Sequence, residues 1–295
     1  MVTDLRILAV RLDPPEVLID PVTLDSEAVF IRILLAKPGS ASEVFAVRAR
    51  ICAKAADDGR CPPQTVWVAS QRGEAGAVPA MVVVPTPEMI TEARAADPLK
   101  GYGGTRIPLE LEVRAPDGTI ASASKLIIAS DRKPGYVPNG ALDVTAAVVR
   151  RAAGAEQRYE PGIAVPIDVA ETVGIFPELA PGAAEEYDAV DLAGQHVRLR
   201  ERISYSFYAT PHVHFGDLYR PEPGADLADE PAPGEPRPEQ GLVLLSGLAP
   251  TTGELYVVAR DGRGAEAWLK LGLTVTERRI CNLDTRCPSF ETSCK

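Results

Sequence analysis

Histidine is scarce in this chain, and two of its three imidazoles, His212 and His214, stand one residue apart. On a β-strand that spacing sets both rings on one face, about 6–7 Å apart at the backbone. With Asp217 in the turn beyond, they form a donor set for a divalent metal, and hence for a metal-dependent enzyme or a metal carrier. The plainer reading is two surface imidazoles flanking an inward Val213. A second organised set is Arg198, Arg200 and Arg202, which alternate with apolar residues along 196–209, with Ser206 and Tyr208 on the arginine face. Like charges two residues apart repel, so an anionic partner that neutralises them gains electrostatically. The alternative is a solvated face whose arginine stems cover apolar surface. Trp67 and Trp268 both fall in strand-like runs, and Trp268 points away from Leu269, Leu271 and Leu273, where an indole offers a platform for a sugar ring.

Other chemistry is excluded by pattern. There is no Gly-x-Ser-x-Gly elbow, no His-Glu-x-x-His pair and no phosphate-binding loop before a helix. Adjacent carboxylates such as Glu185-Glu186 and Asp229-Glu230 read as solvated charge. A net charge of −10, from 31 basic and 41 acidic side chains, repels a phosphate backbone and excludes nucleic acid as a partner class. No apolar run approaches the ~18–20 residues that span a bilayer as a helix. No cofactor is expected.

Five cysteines remain: Cys52, Cys61, Cys281, Cys287 and Cys294. Cys52 and Cys61 flank Ala-Asp-Asp-Gly at 56–59, a loop signal between extended runs, so the two strand ends fall within disulfide reach. The other three crowd a tail too polar for a core of its own, which suits disulfide ordering; their gaps of five and six residues do not fit zinc spacing. Disulfides imply an oxidising compartment, reached by an exported chain whose signal segment is absent from this sequence.

The elements that must position these residues are mostly strands. At 107–114, Ile107, Leu109, Leu111 and Val113 alternate with Pro108, Glu110, Glu112 and Arg114, and Ala-Pro-Asp-Gly at 115–118 turns the chain into a strand over 119–129. The alternation predicts further strands at 4–12, 27–35, 43–52, 65–70 and 79–85, then at 141–150, 162–170, 196–209, 241–246, 254–260 and 265–276. One helix is predicted over 87–96, with Thr86 as N-cap, Pro87 at the first position and Pro98 beyond the end. Residues 131–140 read as a linker, and the acidic, proline-rich 221–240 as a solvated loop. The expectation is an all-β chain: two tandem immunoglobulin-like β-sandwiches, 1–133 and 134–278, with one short helix and a Cys-rich C-terminal tail at 279–295.

Two segments resemble a known group. Gly253-Glu-Leu-Tyr-Val-Val-Ala-Arg-Asp-Gly-Arg-Gly264 looks like the penultimate strand and turn of PKD-like immunoglobulin sandwiches. Asp4-Leu-Arg-Ile-Leu-Ala-Val-Arg-Leu-Asp-Pro-Pro-Glu-Val17 resembles the opening of predicted bacterial cell-envelope lipoproteins. The resemblance implies a non-enzymatic binding or structural module of the cell envelope, at the periplasmic side or the outer-membrane surface. Its partner would be an envelope protein or surface glycan. It also implies a lipid anchor on a cysteine upstream of Asp4, where this sequence carries none.

Overall fold

The computed structural model describes residues 2–39, 43–57, 59–74, 78–97, 103–151, 154–169, 171–190, 195–210, 214–215, 242–244 and 251–277. The proline-rich segment 221–240 and the cysteine tail 279–295 lie outside them. The chain is all-β, with one short helix among the described residues.

The first half supplies β1 (Arg6–Asp13), β2 (Glu16–Ile19), β3 (Val29–Ala36), β4 (Val44–Ile51), β5 (Ala69–Glu74), β6 (Met81–Val83), α1 (Pro87–Ala96), β7 (Thr105–Arg114) and β8 (Ile120–Asp131). A three-stranded sheet, β1-β3-β6, faces a five-stranded sheet, β2-β8-β7-β4-β5. The alternation seen in the sequence is the reason. Ile107, Leu109, Leu111 and Val113 are wholly buried and meet Phe45, Val47 and Ala49 of the neighbouring strand. The helix crosses from β6 in one sheet to β7 in the other, as its signals predict: Thr86 Oγ1 accepts from Met89 N at 3.3 Å, and Ile90 and Ala93 face the core. Pro108 fits a central strand because its carbonyl side faces the point where β4 ends, accepting from Cys52 N at 3.1 Å.

The second half supplies β9 (Val144–Arg151), β10 (Glu156–Tyr159), β11 (Ala164–Asp168), β12 (Thr172–Leu179), β13 (Glu186–Val190), β14 (His196–Arg200), β15 (Ser204–Ala209), β16 (His214–Phe215), β17 (Leu242–Leu244), β18 (Thr251–Arg260) and β19 (Glu266–Thr276). One sheet runs β10-β9-β12-β17-β16 and the other β11-β19-β18-β15. The two halves share a plan. In each, an early strand pairs in parallel with the last strand, β2 with β8 and β11 with β19. Each has its own core, the first drawn from Leu5 to Ala129 and the second from Leu142 to Val275.

Three expectations change. The run 196–209 is not one strand: β14 pairs with β13 as a separate hairpin, whereas β15 joins β18. The break falls at Glu201, which is only 2% exposed and turns its carboxylate toward Arg263 instead of continuing the alternation. The strand predicted at 65–70 forms at Ala69–Glu74, so Trp67 precedes it. Of the adjacent carboxylates, Glu186 is solvent-exposed beside Arg198 as expected, whereas Glu185 is half-buried and accepts from Gly140 N at 3.2 Å.

The sandwiches pack together along a third apolar cluster. Val2, Leu8, Leu34 and Ala36 from the first half meet Tyr256 and Val258, with Tyr208 and Trp268 packed at the margin. Carboxylates withdrawn wholly or partly from solvent flank this seam. Glu16, 5% exposed, accepts from the Ser130 and Tyr136 hydroxyls, from Asn139 N at 2.6 Å and from Arg263 Nη2 at 3.3 Å. Glu266 of the second half accepts from Val10 N at 2.8 Å and pairs with Lys125 at 3.0 Å. Asp261 caps its own turn, accepting from Arg263 N, Gly264 N and Ala265 N, and takes Asn139 Nδ2 at 2.8 Å. Gly262, with φ of +78°, supplies the left-handed residue of that turn.

Arg263 also binds Glu201 at 2.9 Å and lies over the Tyr187 ring at 4.3 Å. Truncation in Arg263→Ala leaves buried carboxylates without their cation. It is expected to lower the unfolding free energy by about 2–4 kcal/mol in chemical denaturation, against less than about 0.5 kcal/mol for the exposed Arg198→Ala. Burial pushes the Glu201 carboxyl above the ordinary 4.5, and the nearby Asp261 charge adds to that, against the lowering pull of the Glu185 backbone and Arg263. A carboxyl raised in the folded state adds stability that is full below the unfolded pKa and is lost as pH rises through the folded pKa. Urea titrations between pH 4 and 7 are therefore expected to show the stability of the wild type falling relative to Glu201→Gln as pH rises.

Candidate binding surfaces

The predicted site residues occupy two different places. Arg198 and Arg200 lie exposed on β14, with Arg198 Nε 2.9 Å from Glu186; Arg202 is exposed in the connection to β15. Tyr208 and Trp268 are half-buried on β15 and β19 against the seam between the sandwiches. The arginines and the aromatics therefore do not share a face, because the chain turns at Glu201 between them. His214 lies on β16 opposite Leu244 of β17 in the backbone register. His212 and Asp217 lie outside the described residues, as do Cys281, Cys287 and Cys294. Among the described residues no cluster of three or more His, Cys, Asp or Glu side chains is arranged to hold a metal.

Cys52 and Cys61 form the expected disulfide, with Cα atoms 5.7 Å apart. The loop they close is laid against the five-stranded sheet by a buried ion pair that alternation alone does not reveal. Arg50, on the outer face of β4, meets Glu110 on β7 at 2.9 Å, and the same carboxylate accepts from Cys61 N at 3.0 Å. Arg50 also donates to the Thr65 carbonyl at 3.3 Å. Trp67, just beyond, packs under both Arg48 and Arg50, whose guanidinium carbons lie 4.0 and 4.6 Å from its ring centre. Both guanidinium groups are within cation–π distance of the ring, which ties the loop to β4.

Next to this stack, on the outer face of the same sheet, is an open concavity of about 630 Å³. Its floor is Ala46 on β4, and the strand register explains its shape: Arg72 on β5 and Arg114 on β7 both pair with Ala46, so a small residue lies between two long ones. One row along, Arg48 stands between Ser70 and Glu112. Glu112 is the only carboxylate of the lining; it binds Arg48 at 2.9 Å and Arg114 at 3.6 Å. Arg48 Nε is shielded from solvent and has no acceptor. Arg72 makes no ion pair with any described residue. Two guanidinium groups thus share one carboxylate and a third lines the same concavity, a local excess of positive charge on a chain of net charge −10. Arg48 and Arg50 are two positions apart, and Glu110, Glu112 and Arg114 also alternate, so the outward polar face was readable in the sequence. The cross-strand register that gathers these residues was not.

No family model matches the chain, and no curated protein matches it. Among solved structures it is similar to the tandem Ig repeats of Dlar, with TM-score 0.26 and 11% identity over 94% of this chain and 97% of that one. It is also similar to murine CEACAM1b, with TM-score 0.22 and 8% identity over 90% and 100%. The fibronectin(III)-like modules of Clostridium thermocellum CbhA give TM-score 0.21 and 10% identity over 95% and 100%. The fold description rests on the sheets of this chain, and these similarities add nothing about function. No helix among the described residues is long and apolar enough to cross a membrane.

The disulfide closes a short loop, with a sequence separation of 9. In the chain-entropy account such a loop is worth about 2–3 kcal/mol. The double variant Cys52→Ser with Cys61→Ser is expected to lose that amount in urea denaturation, and the wild type is expected to lose the same amount in the presence of reductant.

Proposed function

We propose that this protein is exported and acts as a non-enzymatic binding or structural module of the cell envelope, built of two immunoglobulin-like units, 1–133 and 134–278, that act as one rigid body. The observation that carries this reading is the seam. Carboxylates from both halves, the buried Glu16 and the partly buried Glu266, each take donors from the opposite half, which holds the outer sheet faces at a set angle to each other. A scaffold of that kind suits the presentation of surfaces to a large partner, here an envelope protein or a surface glycan. The Cys52–Cys61 bond supports an oxidising compartment. The resemblance to envelope lipoproteins supports attachment through a lipid on an upstream cysteine.

On this reading the exposed arginines at 198, 200 and 202 contribute to the contact, which weakens with salt because exposed charges are screened over about 8 Å at physiological ionic strength. Capture from envelope extract by the wild type, compared with the triple variant Arg198→Ser, Arg200→Ser and Arg202→Ser, is expected to show loss of the partner by the variant. Equal recovery by both forms would remove this face from the contact. A metal-dependent turnover abolished in His212→Ala would replace the binding module with an enzyme.

A further inference from the structure

We propose that the free edge of β6 is a self-association surface, to which a second copy of this chain adds its own β6 antiparallel, about a two-fold axis at Val82. This goes beyond the binding-module reading above and does not depend on it.

Three observations converge on that occupant. The first is an unguarded edge. β6 is the last strand of its sheet and pairs only with β3 among the described residues. The main-chain groups along such an edge are a template for one more strand, and natural edges are guarded against this by charge. Other edges of this molecule are guarded: β5 carries the exposed Arg72 and Glu74, and β10 carries the exposed Glu156 and Arg158. The run from Ala75 to Pro87, with β6 in its middle, contains no charged residue, in a chain where 24% of residues are charged.

The second is an exposed apolar row. Met81 and Val83 turn into the core, and Val82 between them points out. Val82 and Phe30 are cross-strand partners on the outer face, 45% and 46% exposed, and Val84 follows on that face at 51%. A second β6, added with Val82 opposite its own copy, extends this row across four strands, from Phe30 and Val82 of one chain to Val82 and Phe30 of the other. Directly opposed side chains in an antiparallel pair lie about 4.5–5.5 Å apart at Cβ, so the two valines cover each other.

The third identifies the occupant as a second copy. Pro79 and Pro85 lie equally far from Val82, one on each side. Proline has no N–H to give to a ladder. With the axis at Val82, Pro79 of one copy falls opposite Pro85 of the other, just outside the paired run 80–84, and neither removes a rung. A two-fold contact uses the same patch on both subunits, so the patch must be complementary to itself. An uncharged run bounded by prolines and centred on one residue meets that requirement. Charge favours the same place: two copies of net charge −10 repel at a distance, and they can meet only where the surface is locally neutral. The paired run is short. Interfaces below about 1,200 Å² belong to the weak, transient class, so the dimer depends on concentration.

The full chain is followed by sedimentation equilibrium over a concentration series, its free thiols first capped with iodoacetamide so that no intermolecular disulfide contributes. A reversible monomer–dimer equilibrium is expected, with a dissociation constant on the order of 100 μM. It is expected to tighten as salt rises, because salt screens the repulsion between two acidic copies. Val82→Lys and Val82→Glu are each expected to weaken the dimer by about tenfold or more, since like charges directly opposed on paired strands repel. Val82 is exposed, and an unchanged melting temperature verifies the fold of both variants. Mixing the two variants is expected to restore association, because the ammonium of one then faces the carboxylate of the other across the axis. A chain that stays monomeric throughout would overturn the proposal, as would a dimer that Val82→Lys leaves intact or that weakens with salt. Two monomeric variants whose mixture also stays monomeric would overturn it too, since Val82 would then not face itself. A monomeric chain that binds the labelled peptide acetyl-Thr-Val-Thr-Val-Thr-amide by anisotropy, with binding lost in Val82→Lys, would assign the edge to the strand of a different partner.

Discussion

A carboxylate removed from water must be given donors, and Glu16 is where this molecule meets that constraint. The cost of burying such a charge unpaired is several kcal/mol, enough to undo a domain. Its donors come from three separate stretches of chain: Ser130 at the end of β8, Tyr136 and Asn139 in the linker, and Arg263 in the last turn of the second sandwich. None of these stretches can shift without leaving an ion exposed to a dry environment. The linker is therefore held at its middle, although its composition is that of a free connection. Glu266 repeats the arrangement in the opposite direction, reaching from the second half to Val10 N and Lys125. Burial holds the Lys125 amine below its ordinary pKa, against the raising effect of Glu266 beside it.

The packing follows from that exchange. Each sandwich gives one outer face to the seam: the three-stranded sheet in the first half, with Leu8, Leu34 and Ala36, and the β15-β18-β19 face in the second, with Tyr256 and Val258. The sheet opposite the seam in the first half keeps its polar outer face, and it carries the arginine concavity. Burial of apolar area provides the affinity between the halves, whereas the carboxylates fix the angle at which they meet.

Period-two alternation made much of this architecture legible in the sequence. β7 and β8, with the Asp-Gly turn between them, the closing pair β18 and β19, the helix with its Thr86 cap, and the Cys52–Cys61 bond are local patterns, and each appears where its residues place it. The missed elements have non-local causes. β12 contains Gly174 and Pro177, which weaken a strand signal, yet it is the centre of its sheet because Val173 and Ile175 complete the second core. β2 is four residues long and is identifiable only by its parallel partner β8. The stripe of arginines along 196–209 reads as continuous because alternation is blind to a buried glutamate, and Glu201 turns inward only because Arg263, 62 residues later, waits there. The same limit hid the concavity: Ala46, Arg72 and Arg114 are brought side by side by register, and register is written in no single segment.

The parallel pairing of an early strand with the last strand of each sandwich has a mechanical consequence. β2 and β8 run side by side in the same direction, and so do β11 and β19. The chain enters each parallel pair at one end and leaves it at the other. Tension applied between the start of the early strand and the end of the last one therefore slides the two past each other lengthwise, so that the rungs of that ladder resist together.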